Sequence, residues 1–230
     1  MPSKNSIKSY ATDGYYHIYN RGVEKRLIFQ DAQDYFVFLS YLKDYLLAKN
    51  EKELREKLSD SSISYKEKDK ILKILRLNNF FEEISLLSYC LMPNHFHFLI
   101  KQRSENSIDH FMNSIATRYS MYFNRKYKRV GPLYQDVYKA VLVTTDEYLL
   151  HLSRYIHKQA LALQGDAWER RMEEQPSSCL DYVGERKTGW VHPEEVLTFF
   201  SKTNPNLSYK SFVKEEDDLS VISKLILEDV

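Results

Sequence analysis

The stretch LSYCLMPNHFHFLI, residues 87–100, restricts the possible folds more than any other part of the chain. Two apolar runs flank Pro93–Asn94, a pair of residues that favours tight turns, so the stretch predicts two strands joined by a turn. The second run is interrupted by His95 and His97. Because alternate residues of a strand point to the same face, we expect both imidazoles on one face of a sheet, opposite to Phe96.

The hydrophobic pattern on either side of these strands predicts an α+β protein. Short β-rich runs predict strands at 14–22 and 137–143, and apolar residues at helical spacing predict helices at 31–50 and 107–128. The order strand–helix–strand–strand–helix–strand is the ferredoxin-like arrangement. We therefore expect an antiparallel sheet with its helices packed on one face, and a further amphipathic helix at 147–163.

The composition divides this chain into a main domain and two additional segments. The main domain is expected at 10–165, with a charged helical insertion at about 49–79 and a polar, proline-containing C-terminal extension at 166–230. The insertion holds nine Lys/Arg and six Asp/Glu residues, which we expect to form a solvated surface rather than a binding site.

Cysteine content and hydropathy exclude several classes of protein. Two cysteines among 230 residues make neither a disulfide framework nor a metal knuckle, which favours a reducing compartment. No apolar run approaches the roughly 20 residues that span a bilayer, so a soluble, cytoplasmic protein is expected. The 18 tyrosines and 12 phenylalanines exceed what packing requires, and aromatic rings can stack on nucleic-acid bases.

The histidine pair and one helix carry the groups most suited to chemistry. Two same-face imidazoles can chelate a divalent ion, although solvent-facing strand histidines are the commoner case. Tyr155 and Gln159 stand four residues apart in RYIHKQA, so they share one side of the predicted helix. A phenol with a pKa of about 10 is a poor nucleophile near neutral pH unless a metal polarises its target. From spacing alone, a tyrosine that caps the core is the commoner case.

Four blocks of the sequence resemble the single-tyrosine HUH transposases, which are insertion-sequence transposase-like proteins, and among them the REP-associated tyrosine transposases most of all. The blocks are YHIYNRG, LLSYCLMPNHFHFLI, FNRKYKRVGPLYQDVYKAVLV and YLLHLSRYIHKQAL. The resemblance implies an HUH endonuclease fold in which His95 and His97 bind a metal, Gln159 is a third ligand and Tyr155 is the nucleophile. The chain departs from these relatives where Gln159 and Ala160 replace their usual asparagine and proline.

The activity implied by this resemblance is cleavage and rejoining of single-stranded or hairpin DNA. Tyr155 would attack a phosphate with the assistance of Mg²⁺ or Mn²⁺, leaving a 5′-phosphotyrosine and a free 3′-hydroxyl. A monomer or a homodimer is compatible with this activity. Two alternatives stay open: a domesticated protein that binds DNA hairpins without cutting them, and a zinc hydrolase that uses the histidine pair.

Several polar residues are candidates for DNA contacts. Asn20 and Arg21 lie in the YNRG block, and a basic group follows in and after the second predicted helix: Arg118, Arg125, Lys126, Lys128 and Arg129. Cationic side chains of this kind can neutralise phosphates, although a solvated helix end is an equally good explanation for each of them. His17 and His157 lie in the same blocks and are expected to support the site rather than to bind metal.

Overall fold

A four-stranded antiparallel sheet lies at the centre of the protein. The computed structural model describes residues 10–161 and 176–215, together with residues 221 and 223. The strands are β1 (Tyr15–Arg21), β2 (Ile84–Met92), β3 (His95–Gln102) and β4 (Lys139–Val143). Their order across the sheet is β2-β3-β1-β4, which confirms the predicted ferredoxin-like α+β arrangement.

One edge strand, β2, and one central strand, β3, come from the stretch with the histidine pair. β2 and β3 form the predicted hairpin around Pro93 and Asn94, with Met92 opposite His95 and Cys90 opposite His97. On its other side β3 pairs with β1, which places Tyr19 beside His97. The pair therefore lies in the middle of the sheet.

Helices cover both faces of the sheet: the two helices interleaved with the strands lie on one face, as predicted, and the further helix covers the other. On one face, α1 (Ala32–Leu46) and α4 (Ser107–Lys126) pack against the side of β3 that carries Phe96. α5 (Asp146–Leu161) packs on the opposite face, over β2 and β3. The physical reason is visible in β2, which is buried along nearly its whole length. A strand that is apolar on both faces has to be covered on both.

The segment between α1 and β2 forms a helical hairpin. Its helices are α2 (Glu51–Ser59) and α3 (Tyr65–Arg76), and neither contains a buried residue. Asn50 caps α2, and Ser64 forms a capping box at the start of α3. The helical character predicted for 49–79 agrees with these two helices, and its status as an insertion stays a prediction.

The C-terminal segment, residues 176–215, continues the sheet and covers α5. The Leu91 amide donates to the Pro176 carbonyl at 2.9 Å and the Ser178 amide to the Tyr89 carbonyl at 3.0 Å, so the segment pairs with the outer edge of β2. Three short helices follow, at Cys179–Tyr182, Glu194–Leu197 and Tyr209–Lys214. The predicted boundary near residue 165 lies outside the described residues. Within those residues, every helix is too short or too polar to cross a membrane.

Candidate active site

His95 and His97 lie side by side on the face of β3 that α5 covers. Their ring centroids are 5.0 Å apart and the rings are nearly perpendicular. His97 is buried, whereas His95, at the start of the strand, is partly exposed. The same-face arrangement predicted from strand periodicity is therefore present in the structure.

The Nδ1 atom of each histidine contacts a neighbouring side chain. His95 Nδ1 lies 2.6 Å from Asn94 Oδ1, and the amide of Asn94 donates through Nδ2 to the Lys25 carbonyl. Because Asn94 Oδ1 can only accept, His95 Nδ1 carries the proton, and Nε2 carries the lone pair of the neutral ring. His97 Nδ1 lies 2.9 Å from His17 Nε2. Contacts of this kind fix the orientation of metal-binding histidines in many proteins.

Tyr155 projects from α5 towards the histidines. Its ring centroid lies 5.6 Å from that of His97 and 6.3 Å from that of His17, in both cases nearly edge-on. The helix is positioned by Leu152 and Ile156, which are fully buried against the sheet. Tyr155 is itself only 5% exposed and belongs to the same apolar cluster. The structure thus places it both in the core and beside the imidazoles.

Gln159 lies one turn after Tyr155 and is partly exposed. In the part of the chain that the structure describes, no hydrogen bond joins Gln159 to His95 or His97. The structure therefore brings Tyr155 and the histidines together, while a metal-ligand role for Gln159 stays a prediction.

The donor atoms fit a divalent ion that accepts nitrogen ligands. Among residues 10–161 and 176–215, no cluster of three His, Cys, Asp or Glu side chains could hold a metal. Two imidazoles and one amide oxygen would leave coordination positions for water or a phosphate oxygen. Imidazole binds Mn²⁺ and later transition metals better than Mg²⁺, so of the two expected ions the donor set fits Mn²⁺ better.

Two of the basic residues expected to contact DNA form ion pairs with carboxylates of the protein itself. Arg118 forms an ion pair of 2.8 Å with Asp44 and stacks over Tyr41, while Lys126 pairs with Asp31 and Asp34 at 2.7 Å. All these partners lie on or next to α1, so the contacts hold α4 against α1. They lie on the face of the sheet away from His95 and His97.

The remaining DNA-contact candidates differ in exposure. Arg125 and Lys128 are exposed at the end of α4, and Arg129 donates to Asn124 Oδ1 at 2.9 Å. Asn20 is almost buried and donates to the Asp136 carbonyl, whereas Arg21 is partly exposed and stands opposite His95 in the strand pairing. Arg21 is thus the candidate placed nearest to the histidine pair, and DNA contacts by all seven residues stay predictions.

Two aromatic residues of β1 complete the surroundings of His97. The ring of His17 stacks on His97 at 5.1 Å between centroids, and the ring of Tyr19 stacks on it at 5.7 Å. The exposed Lys139 of β4 lies over Tyr19, with Nζ 5.8 Å from the ring centroid. Tyr19 and Lys139 were missed as site residues because only the pairing of β1 with β3 and β4 brings them there. The alternate spacing of His17 and Tyr19 was the one available signal, and it concerned Tyr19 alone.

His157 connects α5 to the C-terminal segment. It is fully buried, with Nδ1 2.7 Å from the Tyr209 hydroxyl and Nε2 2.8 Å from Ser178 Oγ. Burial lowers the pKa of His157 to about 3, so the ring is neutral near pH 7. The supporting role expected for His157 agrees with these contacts.

Two comparisons with known proteins found similarity to transposases. A solved structure described as "Structure of the REP associates tyrosine transposase bound to a REP hairpin" has a TM-score of 0.43 and 10% identity, covering 82% of this chain and 96% of that chain. No curated protein matches the chain. Residues 52–159 match the family model "Transposase IS200 like", and this range includes His95, His97, Tyr155 and Gln159. Residues 52–159 are therefore similar to the IS200-like transposase family.

Proposed function

We propose that the protein is a metal-dependent endonuclease and strand transferase that acts on single-stranded or hairpin DNA, with Tyr155 as its nucleophile. The observation that supports this most directly is the position of Tyr155, whose ring lies 5.6 Å from that of His97 in a region that matches a transposase family model. The ring of Tyr155 also lies 6.3 Å from that of His17, so two imidazoles of the sheet border it.

The proposed reaction exchanges one phosphate ester for another. The Tyr155 oxygen forms a bond to phosphorus, the bond from phosphorus to the 3′-oxygen breaks, and the phenol proton leaves as the 3′-oxygen gains one. The products are a 5′-phosphotyrosine and a free 3′-hydroxyl, so the reverse attack by a 3′-hydroxyl rejoins DNA without another energy source. A divalent ion bound by His95, His97 and Gln159 would polarise the phosphate and stabilise its developing charge.

The groups around the histidines determine how the reacting residues are held. Asn94 orients His95, and His17 orients His97, so each ring presents Nε2 in a fixed direction. Arg21, opposite His95, and the exposed Lys139 supply positive charge on the same side of the sheet. This charge suits a nucleic-acid backbone better than a neutral substrate.

A covalent adduct with DNA tests the nucleophile. The protein is incubated with labelled single-stranded hairpin DNA and Mn²⁺, and adducts that survive denaturation are separated by electrophoresis. Wild type should form an adduct, chelator should abolish it and His97→Ala should reduce it at least tenfold. Tyr155→Phe should form none, while Tyr148→Phe, on the same helix, serves as the matched control and should behave as wild type.

Two outcomes would reject the assignment. An adduct formed by Tyr155→Phe would show that another group attacks the phosphate. Binding of hairpins by wild type with no adduct across a hairpin library would instead favour the hairpin-binding protein without cleavage. The observation that favours this second candidate is the burial of Tyr155, which is only 5% exposed.

A further inference from the structure

The helical hairpin α2–α3 contributes no buried side chain to the protein. Neither helix has a buried residue, and neither belongs to the two apolar clusters that surround the sheet. The helices meet through partly buried apolar side chains: Leu54, Leu58, Ile71 and Leu75. The helix caps and the contact between the two helices stabilise the hairpin. Its outer surfaces are therefore not needed for the core and can bind a partner.

Most of the acidic residues of the hairpin are occupied by partners within it. Glu51 pairs with Arg55, Glu53 with Lys57 and Asp69 with Lys73, while Asp60 accepts from the Ser62 amide and Glu67 completes the capping box with Ser64. These contacts maintain the helix ends and the exposed turns. They leave the hairpin with an excess of cationic side chains whose distribution over its two helices is uneven.

The excess lies on the outer side of α3. At 100° per residue, Ile71 and Leu75 point towards α2, and the opposite arc carries four cations, Lys66, Lys70, Lys73 and Arg76. The one carboxylate in that arc is Asp69, which gives it a local charge of +3. Tyr65, at the margin of the arc, is 93% exposed.

The outer side of α2 has no such charge. The arc that faces away from its partly buried Leu54 and Leu58 holds one cation, Lys52, together with Glu53 and Glu56. The outer faces of the two helices therefore differ in the sign of their charge, which general solubility does not require.

We propose that the outer face of α3 binds the phosphate backbone of the DNA on which the protein acts, an inference that rests on the proposed function. From Lys66 to Arg76 the helix rises about 15 Å, which matches roughly four phosphates at about 3.4 Å of axial rise per nucleotide. The face lacks a buried apolar anchor, and lysine is depleted in protein–protein interfaces, so a polyanion fits it better than another protein.

The position of the hairpin determines which DNA can reach it. Residues 77–83 join α3 to β2, and the first residue of β2, Ile84, pairs with Gln102 at the end of β3. His95 lies at the other end of β3, about 23 Å away at roughly 3.3 Å per residue. DNA held at the histidines must therefore extend at least about seven nucleotides before it contacts α3, and shorter DNA should bind without that contact.

The salt dependence of DNA binding tests this proposal. Dissociation constants are measured for a hairpin DNA with a stem of about 20 base pairs, at salt concentrations between about 50 and 200 mM. In the variant Lys66→Gln/Lys70→Gln/Arg76→Gln, the slope of log K against log salt should decrease in magnitude by about 2 to 3, since each phosphate contact contributes about 0.9. The matched control Lys52→Gln/Arg55→Gln/Lys57→Gln removes three cations from α2 and should keep the wild-type slope.

A second readout separates this proposal from the proposed function. Both triple variants should form the Tyr155 adduct with a five-nucleotide single strand at the wild-type rate. If the adduct forms but the α3 variant keeps the wild-type salt slope, the α3 surface is not a DNA site. The same conclusion follows if the two triple variants reduce the slope by equal amounts. If the wild-type protein binds no DNA, both proposals are wrong.

Discussion

Lowering the pH from 7.5 to 5 should destabilise the protein through the buried imidazole of His157. Burial lowers the pKa of His157 to about 3, whereas an imidazole in the unfolded chain titrates near pH 6.5. Between these two pH values the unfolded chain binds a proton that the folded protein does not. The contribution of the neutral His157 ring to the free energy of unfolding is therefore complete above about pH 6.5 and is lost as the pH falls towards about 3.

The magnitude follows from the size of this pH window. Each pH unit within it costs about 1.4 kcal/mol of unfolding free energy, so the 1.5 units from pH 6.5 to 5 cost about 2 kcal/mol. The neutral ring is well matched to its partners. The Tyr209 hydroxyl donates to Ser153 and can accept from Nδ1 of His157, and Ser178 Oγ can donate to Nε2. A second ring proton would occupy the nitrogen that accepts.

Urea unfolding at pH 7.5 and pH 5 measures this loss in wild type and in His157→Asn. The variant should be less stable at pH 7.5 by about 1 to 3 kcal/mol, because buried hydrogen-bonding groups lose a partner. Between the two pH values, however, it should lose about 2 kcal/mol less than wild type. His110→Asn, at an exposed position of α4, is the control and should follow wild type. Equal losses in wild type and His157→Asn would refute the reasoning.

Two further substitutions test the packing around the sheet. Gly22→Ala should cost about 2 kcal/mol or more, because the new Cβ would lie 2.2 Å from the Arg26 carbonyl oxygen, whereas Gly189→Ala meets its nearest neighbour at 3.6 Å and should be near neutral by the same denaturation measurement. Phe38→Ala, in the centre of α1, should cost about 3 to 5 kcal/mol, and Phe36→Ala, 72% exposed on the same helix, should cost less than about 0.5 kcal/mol. Similar losses for both phenylalanines would contradict the described packing.

The strands and the same-face histidines could be predicted from the sequence because both depend on local rules. A turn-forming pair between two apolar runs gives the hairpin, and alternation along β3 places His95 and His97 together. The face that α5 covers could not be predicted, because no local pattern says which face of a sheet a distant helix covers. The nearly continuous burial of β2 was the signal for two covered faces.

The ion pairs of the basic residues could not be predicted, because they join segments that are distant in the sequence. Arg118 and Lys126 were candidates for phosphate contacts, yet their carboxylate partners on or near α1 precede them by 74 or more residues. The contact between His17 and His97 likewise joins positions 80 residues apart and depends on the register of β1 against β3. Helix packing and strand register decide both cases.

The position of Tyr155 depends on two layers of the protein, not on the sheet alone. On the inner side of α5, Leu152 and Ile156 pack against the sheet, and on the outer side His157 binds residues of the C-terminal segment. That segment is also paired with the edge of β2, so the strand next to β3 and the helix that carries Tyr155 share one support. Displacements of about 1 Å can cost a reaction of the proposed kind about a hundredfold in rate. The C-terminal segment would therefore contribute to the reaction through geometry, although the residues proposed to react all lie before it.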